Sequence, residues 1–173
     1  MNDWYMLTLV GEDRPGIVAR VTAALYAGGW GLGEASMMRL GGNFTIMLMV
    51  RHAGDNGSPQ AALRPVAEEL GLSLHVDPVA AGLHRHVLPN VQVRVSGADR
   101  AGIVAQVTGI LAEAGVNILD LESDVAGSEA APLYIMNIEA LAECAIEDLE
   151  ARLNALVAQG IDVRIGPIET MVG

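Results

Sequence analysis

Gly11-Glu12-Asp13-Arg14-Pro15-Gly16-Ile17-Val18-Ala19-Arg20-Val21-Thr22 returns 86 residues later as Gly97-Ala98-Asp99-Arg100-Ala101-Gly102-Ile103-Val104-Ala105-Gln106-Val107-Thr108. A repeat of this kind means that one supersecondary unit is written more than once. Between residues 11–32 and 97–118, eleven positions are identical. A three-residue shift in the middle then sets Gly71 on Gly160 and Pro78 on Pro167, at an offset of 89. The chain therefore reads as two copies, residues 1–81 and 89–173, with a joint at 82–88. That joint is too short for a free linker, so the copies are expected to pack together.

Working outward, each copy reads as β-α-β-β-α-β. Trp4 to Val10 and Val91 to Ser96 are rich in strand formers and stop at a glycine. The period then changes. Val18, Val21 and Leu25, like Val104, Val107 and Leu111, recur at helical spacing. Pro15-Gly16 suits a first helical turn, and Gly29 and Gly115 mark the stops. Leu32 to Arg39 and Ile118 to Val125 read as second strands, and Phe44 to Arg51 and Leu133 to Glu139 as third strands. Turns are expected at Gly41-Gly42-Asn43 and Ala126-Gly127-Ser128. Gln60 to Leu70 and Ile146 to Ala158 read as second helices, and Leu72 to Val76 and Ile161 to Ile165 as closing strands. The order predicts an α+β class, with two ferredoxin-like units, each an antiparallel sheet with both helices on one face.

The two copies also predict sheet faces. Leu7/Val93, Leu9/Val95, Met47/Met136 and Met49/Ile138 are apolar in both, and are expected to face the helices. The alternating set, Met6, Thr8, Val10, Leu48 and Val50, becomes Gln92, Arg94, Ser96, Asn137 and Glu139. Side chains alternate faces with period two, so copy one is expected to carry an apolar open face that copy two lacks. Such a face marks an interface, which leads to the expectation of a homodimer.

Composition bounds the function. The 173 residues are 51% hydrophobic and 18% charged, which is enough apolar material for packed cores. Ten basic residues, all of them Arg, stand against 21 acidic ones, for a net charge of −11. Nucleic-acid binding needs several cations on phosphates, so direct binding is not expected. With no Lys in the chain, a Schiff-base or P-loop lysine is excluded. The single Cys144 cannot form an internal disulfide, which fits a reducing, cytoplasmic setting. Met1-Asn2-Asp3 does not begin a signal peptide, and no apolar run approaches the ~20 residues of a membrane span.

The turn from first strand to first helix is where binding chemistry is expected. A helix start presents free N–H groups and a positive dipole end. That end accepts the carboxylate of a small ligand, and Asp13 or Asp99 could face its ammonium group. Together they suit a zwitterionic amino acid. An ordinary helix cap by Asp, with Arg as a surface charge, accounts for the same residues.

Two copies opening with Asp-Arg-Pro/Ala-Gly-Ile-Val, the second continuing to Ala114-Gly115-Val116-Asn117-Ile118, resemble tandem ACT domains. These are regulatory modules of amino-acid metabolism that bind small ligands at module interfaces. The paired layout is similar to that of the glycine cleavage system transcriptional repressor family. This resemblance implies a ligand held by the loop of one module and by the Asn opening the second strand of its neighbour. Carried over, the loops are Gly11, Asp13, Arg14, Pro15, Gly16 and Ile17 in copy one, and Gly97, Asp99, Arg100, Gly102 and Ile103 in copy two, with Asn117 as the Asn. Copy one has Gly31 where Asn117 stands and Trp30 in place of Val116, and copy two has Ala101 in place of Pro15. One strong site is therefore expected, built from the copy-one loop and Asn117.

Other motifs are weaker. Gly29-Trp30-Gly31-Leu32-Gly33 follows a helix and so fails the context of a nucleotide loop. His84 and His86 have no carboxylate or Cys set around them. Glu143, Glu147, Asp148 and Glu150 read as a solvated helix face, Cys144 as an apolar filler, and Met37, Met38, Met47 and Met49 as core or interface filler. No Ser-His-Asp order or paired acidic motif stands out. The expectation is a non-enzymatic sensor of a small, glycine-like amino acid, without cofactor or metal. It would act through contact with a protein partner, a transcription activator if the family analogy holds. The alternative is a regulatory subunit of an enzyme of amino-acid metabolism.

Overall fold

The computed structural model describes residues 4–52, 54, 57–79, 87–98, 102–128 and 131–168. The chain divides into two units, Met1–His84 and Arg85–Gly173. The first contains β1 (Trp4–Glu12), α1 (Ile17–Ala27), β2 (Trp30–Leu40), β3 (Asn43–His52), α2 (Pro59–Leu70) and β4 (Ser73–Val79). The second contains β5 (Val91–Ala98), α3 (Ile103–Glu113), β6 (Asn117–Ser128), β7 (Ala131–Leu141), α4 (Ile146–Val157) and β8 (Ile161–Pro167). The strand orders are β2-β3-β1-β4 and β6-β7-β5-β8, and every strand pair is antiparallel. Both units are ferredoxin-like, as the repeat implied. Residues 80–86, most of the expected joint with His84-Arg85-His86 among them, lie outside the described residues.

The helices bury the expected stripe except at its first member, which lies one residue earlier. Ile17, Val21 and Leu25 of α1 are buried, as are Ile103, Val107 and Leu111 of α3. Val18 and Val104 are each 39% exposed. A spacing of i, i+4, i+8 and one of i, i+3, i+7 both fit a helix face, and the sheet beneath selects the former.

The faces of β3 require a correction. Phe44, Ile46, Leu48 and Val50 form the helix side, with Leu48 3% exposed, while Met47 is 43% exposed. Leu48 pairs with Leu7 and Ile46 with Leu9, whereas Ile138 pairs with Val93 and Met136 with Val95. The equivalent of Met136 is therefore Ile46 and not Met47. The β6–β7 hairpin is longer than β2–β3 by four residues, not three, and one residue is lost again before β8. Since side chains alternate, a slip of one residue exchanges the two faces. The expected turn at Ala126-Gly127-Ser128 belongs to this extension: Ser128 pairs with Ala131 within the β6–β7 ladder. Gly41-Gly42 is a turn as expected.

The contrast between the open faces survives with different members. In the first unit the face carries Met6, Thr8 and Val10 of β1, Met47 and Met49 of β3, and Met38 and Leu40 of β2. In the second, the same places hold Gln92, Arg94, Ser96, Asn137, Glu139, Asp124 and Ala126. Met37, Met38 and Met47 are thus surface residues and not core filler. Cys144 packs against the second core, and Glu143, Glu147, Asp148 and Glu150 are exposed.

Trp30 explains one departure between the copies. It is buried and meets Tyr5 edge-on at 5.8 Å and His52 at 4.9 Å. His52 Nε2 lies 3.1 Å from the Gly28 carbonyl. This aromatic group closes the end of the first unit where β2 begins. Val116, also buried, fills the equivalent place in the second.

Candidate functional site

The first-strand turn ends at Gly16, which precedes α1 with φ 89° and provides no side-chain cap. Gly102 does the same for α3 with φ 96°. This left-handed backbone suits glycine and costs other residues about 1–2 kcal/mol. Its consequence is chemical. The first intrahelical bond at this end is Arg20 N–H to Gly16 C=O, so the N–H groups of Ile17, Val18 and Ala19 have no helical acceptor.

Asp13 is not the cap. Its carboxylate Oδ2 lies 2.5 Å from Nη2 of Arg39, and its N–H donates to the Gly42 carbonyl at 3.0 Å. The Asp13 side chain is only 25% exposed, while Arg39 is 69% exposed. Arg39 reaches the loop because it faces Phe44 across the β2–β3 ladder, on the helix side of an edge strand. Arg14 is held by Glu12 at 2.5 Å, and that contact and the guanidinium charge hold the Glu12 carboxyl below the usual range.

These groups line a cleft of ≈ 350 Å³ bounded by Asp13, Arg14, Gly16, Ile17, Val18, Ala19, Met37 and Phe44. Its size sits at the small end for ligand pockets. One wall is polar (the Asp13 carboxylate and the open helix end) and the other is apolar (Met37, Phe44 and Val18). A small zwitterion with little side chain matches that division.

The expected site residues distribute as follows. Asp13, Arg14, Gly16 and Ile17 line the cleft, but the Ile17 side chain belongs to the core and only its backbone is free to bind. Pro15 is exposed beside it. Gly11 has a packing role: a Cβ there would meet Leu72 Cδ2 at 2.6 Å and the Gly71 carbonyl at 3.1 Å. At Gly97 the same contacts are 3.5 Å or longer. Gly102 and the buried Ile103 open α3 as expected, while Asp99 and Arg100 lie outside the described residues. Asn117 starts β6 and pairs with Leu141, whereas Gly97 pairs with Tyr134. Seven residues of strand, about 23 Å at 3.3 Å per residue, separate Asn117 from the loop of its own unit. Arg39, Met37 and Phe44 were not foreseen. Their signal lay in the β3 register, which places Arg39 opposite Phe44 and both beside Gly11.

Comparison with known proteins agrees with this fold. Residues 5–77 and 91–159 each match the ACT domain family. A 72-residue stretch, 41% of this chain and 83% of the other, is 39% identical to the UPF0237 protein YjhC of Lactococcus lactis subsp. lactis (strain IL1403). The chain belongs to the ACT-domain family and carries two copies of its regulatory fold. Among solved structures, an unknown protein from Galdieria sulphuraria superposes with TM-score 0.79 and 24% identity, over 98% of this chain and 100% of that one. A protein provisionally named a glycine cleavage system transcriptional repressor superposes with TM-score 0.71 and 18% identity, over 98% and 99%. At these identities the two likenesses concern the fold. Among the described residues, no helix is long and apolar enough to cross a membrane, and no three His, Cys, Asp or Glu are grouped to hold a metal.

Proposed function

We propose that the chain is a non-enzymatic regulator that senses a small, glycine-like amino acid and acts through contact with a partner protein. The observation that carries this reading is the cleft of the first unit, lined by an uncapped helix end, by the Asp13 carboxylate that stands 2.5 Å from the Arg39 guanidinium, and by an apolar wall. Backbone N–H groups at a helix end favour a carboxylate, and Asp13 favours an ammonium group. The family resemblance adds Asn117 to this reading, since an amide both donates and accepts. The tandem ACT layout and the name of the 18%-identical structural relative make control of glycine breakdown the process of choice. A transcription activator is then the partner, and a second copy of the chain covers the open face of the first unit.

The test is a thermal-shift screen of the purified chain against the twenty common amino acids. A ligand at about 100 times its Kd adds roughly 2.7 kcal/mol, which raises Tm by about 5–10 °C for a chain of this size. Glycine or another small neutral amino acid is expected to produce the shift. Silence across all twenty removes the ligand-sensing reading.

A further inference from the structure

The two units are not equal at this turn, because a cation of the first has an apolar counterpart in the second. Arg39 pairs with Phe44, and Phe44 with Gly11; in the second unit Val125 pairs with Tyr134, and Tyr134 with Gly97. By this register Val125 occupies the place of Arg39, and Ser123 that of Met37. Arg39 projects to the helix side of an edge strand, where β2 otherwise presents Met37 and Ala35, and it holds the Asp13 carboxylate that lines the cleft. Arg14, the guanidinium that lines the cleft, is engaged by Glu12.

We propose that Arg39 is the specificity-determining residue of the first unit's cleft, selecting ligands that carry a free α-carboxylate beside an α-ammonium group. The inference rests on the amino-acid reading above and deepens it. A zwitterion inserts into the Asp13–Arg39 pair. Its carboxylate takes the guanidinium, and its ammonium takes the Asp13 carboxylate that Arg39 releases. Each protein charge exchanges one partner for another, so no charge is left unpaired. A guanidinium holds a carboxylate by two parallel N–H donors, and the N–H groups opening α1 lie on the same cleft. Amines and amides without the carboxylate would leave Arg39 without its new partner, and ligands with a second net charge would unbalance the exchange. In the second unit the place of Arg39 is taken by Val125, which carries no charge.

The experiment is calorimetric titration of the full chain with glycine and with glycinamide, which lacks the carboxylate. The wild type is expected to bind glycine and to bind glycinamide at least tenfold more weakly. Arg39→Met is expected to lose tenfold or more in glycine affinity, in line with one lost charged hydrogen bond, and to bind the two compounds alike. Arg39→Lys is expected to restore part of the preference for glycine. If Arg39 serves only to hold the loop or to shield the sheet edge, Arg39→Met changes melting temperature or association and leaves the preference for glycine over glycinamide intact. That outcome overturns the assignment while the sensing site stands. Equal binding of both compounds by the wild type also overturns it. A wild type that binds neither glycine nor any other common amino acid removes the sensing reading and this assignment together.

Discussion

Gly16 and Gly102 place the start of α1 and α3 in the left-handed region, at φ 89° and 96°. No atom lies within 4 Å of a Cβ built on Gly16, so a substitution there strains the backbone without a clash. Gly16→Ala is therefore expected to lower unfolding free energy by about 1–2 kcal/mol, as read from urea titration. It should also weaken amino-acid binding, because the open N–H groups follow that turn. Gly11→Ala should be worse tolerated than Gly97→Ala, since only the former drives a Cβ into Leu72 and the Gly71 carbonyl. Comparison of the two midpoints checks this ordering.

At the scale of the element, the faces of β3 decide which side chains stabilise the unit. Leu48→Ala removes a buried side chain and should cost about 2–5 kcal/mol. Met47→Ala, on the open face, should cost less than about 1 kcal/mol. Reversed magnitudes would contradict the register. The paired substitution Met47→Glu with Met49→Glu should leave the fold intact and halve the mass in light scattering, if a second copy covers the open face. A smaller electrostatic effect joins the helices. Arg20 of α1 bonds Glu69 of α2, and that hydrogen bond, then the charge, hold the Glu69 carboxyl below the usual range. A lowered folded-state value stabilises above the unfolded value and is lost as pH falls through it. The wild type and Glu69→Gln should thus differ at neutral pH and converge in acid, with the gap small because both groups are exposed.

The same strands explain what was legible in the sequence. Repetition of the Asp-Arg-x-Gly-Ile-Val turn exposed the fold, because strand-to-helix period changes survive in both copies. Hairpin lengths did not survive equally, and a three-residue alignment of a four-residue extension reversed the faces of Leu48 and Met47. The site was legible only along the chain. Asp13 and Gly16 stand in a motif, but Arg39 reaches them through a register that the alignment had displaced.

For the whole molecule, the −11 charge without a Lys leaves no basic stripe for phosphates. The purified chain is expected to give no specific mobility shift with DNA at physiological salt, and a salt-sensitive, sequence-specific shift would contradict regulation by protein contact. Two units of one fold, differing at Arg39/Val125 and Gly31/Asn117, should bind unequally. The stoichiometry of binding tests this most directly. Calorimetric titration of the full chain with glycine is expected to give one site per chain, lost in Asn117→Gly and weakened in Arg39→Met. Two equal sites per chain, or no heat with glycine or any other common amino acid, would contradict it.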